Sequence, residues 1–573
     1  MIDWSWSLLG KSEQAALRRL CSFPSGFSLE AAIAVAGSDR DDLESVEDDI
    51  EILLNQLLLL VYENQQSSHL RYRMLETVRE FGAIEQDRAA EVTLVATQMA
   101  AWARSWCTER IDNSYGPRQL KTVHEVTIEQ DNLIFILRRA IVERDTKTVF
   151  PLFALLGNYW SIRSMHQDVV SFADAVMESI RDVPVEDEDV QAALLAVTII
   201  SATTAMVNLR LSAKSRTMVR RLLARNIPLD EHLRTMSELW LCLGSPEKLA
   251  VRVAQAKASQ HKMKHSTAFL VESFLMENSG RIAEAISAAQ TAFRLGKELD
   301  DGWTMGTVSV SLAQLFTQRA NHAQALSWGE RAVEYLSELD AVSDLRQLQA
   351  LIAANHISLG QLEAAEHIFA AELANLDDDQ FFDSPGIGIA VQAEIYLHTA
   401  QVAARLAAYR TLLDSKIYQA LPTGPYGPVL VAAAICAHLL NDLEHGKSVS
   451  VRQQTLDYWC KHLRLRTIAW RRMSGQSFTD RPVLGTSAMT IGSWAALTAA
   501  SGSPRSSVGL ELLTMSGGRQ DVPSLLWERH LAAARSRLGD AAVETQLRLA
   551  PGFSSDASLQ RVFELLSDPS LRD

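Results

Sequence analysis

The chain has 573 residues, of which 47% are hydrophobic and 22% are charged, and its formal net charge is −14 at pH 7. This composition is typical of a globular protein and favours several packed units over one single core. The acidic balance opposes the approach of phosphate backbones, so direct nucleic acid binding would need a local basic patch.

Cysteine spacing and apolar runs indicate the compartment. The five cysteines lie far apart and form no CxxC pair, so we predict neither a disulfide framework nor a zinc knuckle. No basic segment precedes an apolar run at the N-terminus, as a secretory signal would require. Residues 191–209, 417–441 and 482–504 lack charged side chains, but Ser, Thr, Asn, Pro and Gly dilute them. We interpret them as buried helices and predict a cytoplasmic protein without membrane contact.

The first predicted helix begins in the sequence Gly10-Lys11-Ser12. These three residues also end a phosphate-binding loop, which further requires a glycine five residues earlier and a buried strand before it. Position 5 is Ser5, and the residues before the loop are too few and too mixed for a strand. We therefore interpret Ser12 as the N-cap of a helix and predict no nucleotide there.

Two more helices and a hairpin follow. Ser28 is predicted to cap a helix that runs through Ala36 and stops at Gly37. A third helix presents an apolar face at helical spacing, made of Val46, Ile50, Leu53, Leu54 and Leu57. An apolar run over residues 58–62 and an alternating run over residues 69–74 predict two paired strands. In the second strand, the buried side is expected to consist of Leu70, Tyr72 and Met74, with His69, Arg71 and Arg73 facing solvent.

Three helices and a hairpin make a winged helix, which we predict for residues 1–86. Its usual use is to place the third helix in the major groove of DNA. Here, eight acids and one base, Arg40, lie between Ser38 and Glu51, a local net charge of −7. Acids at this helix would oppose phosphate contacts. We predict instead a protein-facing role or a solvated face, with Asp48, Asp49 and Glu51 as candidate partner-binding residues.

Three segments resemble a known family. The winged-helix residues "DWSWSLLGKSEQAALRRLCSFPSGFSLEAAIAVAG", "LLNQLLLLVYE" and "RYRMLETVREFG" come first, "EQDNLIFILRRAI" follows, and "WERHLAAARSRLGDAAVE" lies near the end. In this order they are similar to segments of bacterial STAND-type regulators, the AfsR/MalT/LuxR-like ATPases. In that family an NTPase domain precedes the winged helix, and a DNA-binding domain commonly lies at one end. This sequence has no intact P-loop and ends soon after the third segment, so the resemblance implies the winged helix and the sensor only.

An internal repeat occupies the middle of the chain. The segments "SGRIAEAISAAQTAF", "RANHAQALSWGERAV" and "LGQLEAAEHIFAAEL" align at a spacing of 40 residues, with Gly280, Ala320 and Gly360 in one column and Ala285, Ala325 and Ala365 in another. TPR repeats have about 34 residues, and a longer period is compatible with two longer helices. After connecting helices over 87–127, we predict antiparallel helix pairs over 128–550 and a tail over 551–573. The whole would be mainly α, with a solenoid whose concave surface could bind a peptide, a protein or a small effector.

Three further stretches could carry chemistry. "HKMKH" places His261 and His265 one helical turn apart, but its two lysines oppose a metal ion, and we interpret it as a solvated helix face. Tyr159 and Trp160 are expected in the core between helices rather than in a ligand pocket. The best basic patch could meet an acidic partner, although an ordinary charged helix face is the plainer interpretation; its candidate residues are Arg464, Arg466, Arg471 and Arg472.

No catalytic motif appears in a fitting context, so we predict no enzyme, no metal and no cofactor. The first hypothesis is a bacterial regulatory protein that senses a ligand or partner through its repeats and relays the signal through its winged helix. Its partner would be an NTPase domain or the transcription machinery, and direct nucleic acid binding is not expected. A stand-alone scaffold for protein assembly and a DNA-binding winged-helix regulator remain the alternatives.

Overall fold

The computed structural model describes residues 2–37, 44–63, 70–205, 207–225, 227–373, 385–399, 401–414, 426–445, 453–474, 480–516, 518–550 and 555–572. Within these residues the fold is mainly α, as predicted, with one antiparallel two-stranded sheet. Contacts divide the chain into two units, Met1–Ser237 and Glu238–Asp573. This division does not test the domain limits that we predicted at residues 86, 127 and 550, which stay predictions.

The first unit contains eleven helices and the hairpin among its described residues. In chain order these are α1 (Ile2–Ser7), α2 (Lys11–Leu20), α3 (Leu29–Ala36), α4 (Glu44–Asn55), β1 (Leu60–Glu63), β2 (Leu70–Arg73), α5 (Glu76–Arg88), α6 (Val92–Ile111), α7 (Gln119–Glu143), α8 (Thr146–Ile162), α9 (His166–Ser179), α10 (Val190–Thr204) and α11 (Leu209–Leu223). Helix α12 (Glu231–Cys242) contains the division between the units.

The second unit is helical throughout its described residues. Its helices are α13 (Pro246–Ala258), α14 (Lys262–Asn278), α15 (Ile282–Leu299), α16 (Gly302–Gln318), α17 (His322–Glu338), α18 (Val342–Ser358), α19 (Leu362–Ile368), α20 (Pro385–His398), α21 (Val402–Asp414), α22 (Tyr426–His445), α23 (Gln453–Ser474), α24 (Arg481–Thr498), α25 (Pro504–Met515), α26 (Trp527–Leu538), α27 (Asp540–Leu549) and α28 (Asp556–Leu566).

The start of the chain differs from the prediction in one detail. Helix α2 begins at Lys11 with Gly10 as its N-cap, so Ser12 is not the capping residue. Its hydroxyl instead donates to Asp49 Oδ2 at 2.9 Å, which ties α2 to α4. The residues before Gly10 form helix α1 and not the buried strand that a P-loop requires. The second cap was predicted correctly, because Ser28 Oγ accepts the N–H of Ala31 at 3.1 Å.

The hairpin forms as predicted, but its buried side is different. Strands β1 and β2 pair antiparallel. Tyr72 and Met74 are buried, whereas Leu70 is 59% exposed and Arg71 is buried. Leu57, expected on the apolar face of α4, lies beyond the helix end and is 74% exposed. Alternation predicted the strand, but the helices that cover it decide which residues are buried.

The 40-residue repeat is confirmed as a stack of helix pairs. Gly280, Ala320 and Gly360 each adopt a positive φ at the turn inside a pair, which reverses the chain between α14 and α15, α16 and α17, and α18 and α19. The second aligned column, Ala285, Ala325 and Ala365, is fully buried. A methyl group at these positions lets the two helices of a pair approach closely.

The long uncharged runs and the aromatic pair at 159–160 form parts of buried helices where the structure describes them. Trp160, on α8, is completely buried and stacks on Phe172 of α9 at 5.4 Å, so the aromatic pair at 159–160 belongs to the core. One helix among the described residues is long and apolar enough to cross a membrane, over Gly427–Glu444 with a mean hydropathy of 1.2. Because 67% of that window is buried against the rest of the unit, it also fits the core helix of a globular protein.

Candidate functional site

A buried polar network joins the hairpin to the long helix α7. Arg71, on β2, forms an ion pair with Glu129 of α7 and also donates to the carbonyl of Gly26. Burial alone would lower the pKa of Arg71, but the hydrogen bond and charge of Glu129 raise it above its ordinary value. The guanidinium therefore stays charged, and the pair holds two segments together that are 58 residues apart.

Asn132 completes the network one turn further along α7. Its Nδ2 donates to Glu129 Oε2 at 2.7 Å and to the carbonyl of Gly26 at 2.9 Å. Its Oδ1 accepts the N–H of Ser25 at 3.3 Å. Buried ionic groups require such additional hydrogen bonds to offset their loss of water. We call Gly26, Arg71, Glu129 and Asn132 the hairpin joint.

The backbone next to the joint fits closely. Phe27 and Tyr72 exchange both backbone hydrogen bonds at 2.9 Å, and their rings stack at 6.0 Å. A side chain at Gly26 would come within 3.0 Å of the Tyr72 carbonyl and even closer to the Tyr62 hydroxyl. Glycine is therefore the residue that this approach permits.

A second contact ties α2 to the start of α6. Glu91, the N-cap residue of α6, accepts from Arg18 Nε at 2.8 Å and from Arg19 Nη2 at 3.4 Å. Burial alone would raise the pKa of Glu91, but the hydrogen bond and charge of Arg18 and the charge of Arg19 lower it. Arg19 also donates to the carbonyl of Ala36 at 2.9 Å, so α2, α3 and α6 meet here. These contacts tie the first helices to α6, and the hairpin joint ties the hairpin to α7.

The hairpin and the end of α4 carry an exposed apolar surface. We call it the hairpin patch, and its exposed side chains are Ile52, Leu57, Leu60, Val61, Tyr62 and Leu70. Ile52 lies one helical turn after Asp48 on α4, and Glu51 is exposed beside it. Apolar side chains grouped on a surface and bordered by charges mark protein interaction sites.

The candidate acids of α4 do not share one environment. Asp48 and Glu51 are exposed next to the hairpin patch, as a partner-binding role requires. Asp49 is buried and accepts the hydroxyl proton of Ser12, so its prediction as a partner-binding residue was wrong. Helical spacing places Asp49 on the face that packs against α2.

The predicted basic patch on α23 is not one surface. Arg464 is buried and donates to the carbonyl of Leu566 at 2.8 Å, so it is a structural residue, contrary to the prediction. Burial, and then the charge of Arg572, lower the pKa of Arg464. Arg466 is half-buried, and burial lowers its pKa as well. The side chains of Arg471 and Arg472 lie outside the described residues.

The described residues contain no group of three or more His, Cys, Asp or Glu side chains that could hold a metal. His261 is the N-cap residue of α14 and His265 follows in its first turn. Burial raises the pKa of Cys21 to about 12, which opposes a role as nucleophile for this thiol.

The hairpin joint and its patch are therefore the best-defined candidate site in the first unit. Sequence reasoning missed both partners of its ion pair, Arg71 and Glu129, because the hydrophobic pattern placed Arg71 in solvent.

Comparisons with known proteins agree with part of this picture. No family model matches the chain. Proteins from Mycobacterium bovis and Mycobacterium tuberculosis that are named as HTH-type transcriptional regulators are 46% identical to this chain over 81 residues. The match covers 14% of this chain and 9% of each relative. The chain thus matches only a small part of the length of these relatives. The crystal structure of a Signal Transduction ATPase with Numerous Domains (STAND) protein with a tetratricopeptide repeat sensor, from Pyrococcus horikoshii, is similar at 14% identity and a TM-score of 0.43, over 82% of this chain and 65% of that chain. One segment of this mainly α chain is therefore similar in sequence to named transcriptional regulators.

Proposed function

We propose that this chain is a bacterial regulatory, signal-transducing protein. Its helical repeats sense a ligand or a protein partner, and its winged helix relays that state to another protein. The hairpin patch, bordered by Asp48 and Glu51, is the surface through which the relay acts. The partner is expected to be an NTPase domain or a component of the transcription machinery.

The observation that carries this proposal is the hairpin joint. Arg71 on the hairpin and Glu129 and Asn132 on α7 are hydrogen-bonded to one another and to the carbonyl of Gly26. A shift of α7 must therefore either move the hairpin or leave buried charges without partners, which is strongly unfavourable. A two-state relay needs such a rigid connection between the element that senses and the surface that is presented.

Charge supports a protein partner over DNA. The described exposed acids of α4 include Glu47, Asp48 and Glu51, in the helix that a DNA-reading winged helix would place in the major groove. Phosphate contacts depend on Lys and Arg, so this face would repel the backbone. An apolar surface with an acidic border instead complements a protein surface that is apolar with a basic border.

The test compares what the full chain binds when the surface changes. The wild-type chain, the variant Asp48→Lys/Glu51→Lys and the control variant Glu363→Lys/Glu366→Lys would be used to capture partners from an extract of the source, with identification by mass spectrometry. The control pair has the same spacing and lies exposed on α19. We expect a regulatory NTPase or transcription protein that the control retains and the α4 variant loses.

Two outcomes would contradict the proposal. Identical partner sets for all three chains would exclude a relay through this surface, and a set of clients unrelated to regulation would favour the scaffold alternative. A gel-shift titration of the wild-type chain across salt concentrations tests the DNA alternative, because phosphate contacts weaken steeply as salt rises.

A further inference from the structure

Strand β1 is the edge strand of the hairpin. The other strand, β2, has a neighbour on each side, because it pairs with β1 and because Tyr72 also forms a bridge with Phe27. Within the part of the chain that the structure describes, β1 has only β2 beside it. An edge strand presents a row of backbone N–H and C=O groups with which another chain can pair.

The hydrogen bonds of Tyr72 determine which backbone groups of β1 point outward. Tyr72 uses both its N–H and its carbonyl for Phe27, at 2.9 Å each, so these groups point away from β1. Val61 lies opposite Tyr72, and the two therefore form a pair that exchanges no hydrogen bonds, as every second pair does in an antiparallel ladder. The N–H and C=O of Val61 consequently point away from the hairpin, and those of Glu63, two residues later, do the same.

This outward edge is open to another chain. No described residue bonds to the N–H or the C=O of Val61. The side chains of Leu60, Val61 and Tyr62 are 40–47% exposed, so both faces of the strand can be reached. Just before the strand, the N–H of Leu59 donates to the carbonyl of Leu53 at 3.2 Å, which places the end of α4 beside the start of β1.

Strand β1 also lacks the features that usually protect an exposed edge. Such edges commonly carry a lysine, a proline or a bulge, each of which opposes pairing with another strand. Its three exposed residues, Leu60, Val61 and Tyr62, are all apolar or aromatic, and the one-to-one register with β2 leaves no bulge. An unprotected apolar edge of this kind favours pairing with a further strand.

The charges near the edge indicate which strand would fit. Asp48 and Glu51 are exposed on α4, whose end adjoins β1 through the carbonyl of Leu53. The exposed base of the hairpin, Arg73, lies on β2, one strand further from the edge. A second copy of this chain would bring its own acids to the same place, and like charges oppose pairing. A strand that carries apolar side chains together with Lys or Arg complements this edge instead.

We propose that the regulatory partner adds an extended, apolar and basic segment to β1 as a further strand of the sheet. The backbone of this segment pairs with the N–H and C=O groups of Val61 and Glu63. Its apolar side chains pack on the hairpin patch, and its Lys or Arg side chains face Asp48 and Glu51. This inference rests on the proposed function for the identity of the partner, whereas the binding of a peptide to the edge can be measured without that partner.

The test uses the full chain, with a phage-displayed library of random nine-residue peptides as the probe. Panning selects the peptides that bind, and fluorescence anisotropy measures the affinity of their synthetic copies. We expect the selected peptides to carry apolar residues at alternate positions together with Lys or Arg. Their affinity should fall as the salt concentration rises, because the charges beside the edge are exposed.

Two variants at one position separate the backbone from the side chain. Val61→Pro removes only the outward N–H, which is where an edge strand tolerates proline, and leaves the hydrogen bonds to β2 in place. Val61→Thr is the control, because it keeps the N–H and a side chain of similar shape. We expect Val61→Pro to bind the selected peptides at least about tenfold more weakly, and Val61→Thr to bind them as the wild type does. Circular dichroism establishes whether each variant is folded.

Methylated peptides provide a second measurement that does not depend on the folding of a variant. Each synthetic peptide carries one N-methyl group, which removes a single backbone donor. In an added strand, the N–H groups point alternately towards β1 and away from it. We therefore expect N-methylation to abolish binding at alternate positions and to be tolerated at the positions between them. A peptide that binds as a helix would lack this alternation.

Three results would each overturn the proposal: panning selects no binding peptide, a folded Val61→Pro chain binds the peptides as tightly as the wild type, or methylation shows no alternation. These results are distinct from those of the partner experiment. A chain that loses its regulatory partner in the α4 variant but binds no peptide at β1 refutes strand addition alone. A chain that binds peptides at β1 but captures no regulatory partner refutes the proposed function alone.

Discussion

The guanidinium of Arg71 and the carboxylate of Glu129 form an ion pair in which each side chain is only 5% exposed. The pair joins a strand of the hairpin to the middle of α7, and Asn132 and the carbonyl of Gly26 provide further hydrogen bonds to it. Removing one partner would leave the other as a buried charge without compensation, whereas removing both would leave only space to fill.

The stability of the first unit should depend on this pair. We expect Glu129→Ala to lower the free energy of unfolding by about 3–5 kcal/mol, and the double variant Arg71→Met/Glu129→Met to cost clearly less. Urea unfolding followed by circular dichroism measures both. Arg79→Met is the control, because the pair of Arg79 with Glu76 is partly exposed and should contribute only about 0–1 kcal/mol. Equal costs for Glu129→Ala and the control would refute the assignment.

The two neighbouring acids of α4 should respond in opposite ways. Asp49→Ala removes the acceptor of the Ser12 hydroxyl in a buried position and should destabilise the chain by about 1–3 kcal/mol. Asp48→Ala changes an exposed side chain and should alter stability by less than about 0.5 kcal/mol. The midpoint of thermal unfolding distinguishes the two. Equal effects would mean that Asp49 is as exposed as the sequence pattern suggested.

Glu91 should make stability depend on pH in a defined direction. Its folded-state pKa is lowered, chiefly by Arg18 and Arg19 against the opposing effect of burial. Its contribution is therefore fully present above the unfolded-state pKa and is lost as the pH falls through the folded-state pKa. The wild type should exceed Glu91→Gln in free energy of unfolding at pH 7, and the difference should shrink towards pH 3. A constant difference across this range would contradict the role of the charge.

Glycine should be favoured at both repeat turns, so the two substitutions should change stability in opposite directions. Gly360 has a φ of 75°, and a Cβ added there would meet nothing within 4 Å, so Gly360→Ala should cost about 1 kcal/mol through backbone strain alone. Ala320 occupies the equivalent turn with a φ of 55°, and Ala320→Gly should relieve strain by up to about 1 kcal/mol. Chemical unfolding measures both changes. A stabilising Gly360→Ala would show that the turn is not left-handed.

Local chemistry determined much of the fold. Ser28 caps α3 because a hydroxyl before an apolar run satisfies a free backbone N–H, a relation that involves only neighbouring residues. The repeat could be predicted in the same way, since a left-handed turn at Gly280 and a small residue at Ala285 recur after 40 residues. The order of three helices and a hairpin also followed from periodicity and turn residues.

The tertiary structure decided which polar residues are buried. A period of two or 3.6 residues defines the faces of a strand or helix, but not which neighbour covers each face. Arg71 is buried rather than Leu70 because α7 offers Glu129 to that side of the strand. Arg464 is buried because the carbonyl of Leu566, 102 residues away, accepts a hydrogen bond from its guanidinium. Glu394 and Arg405 come together only when α20 and α21 pack, so this buried pair has no signature in the linear sequence.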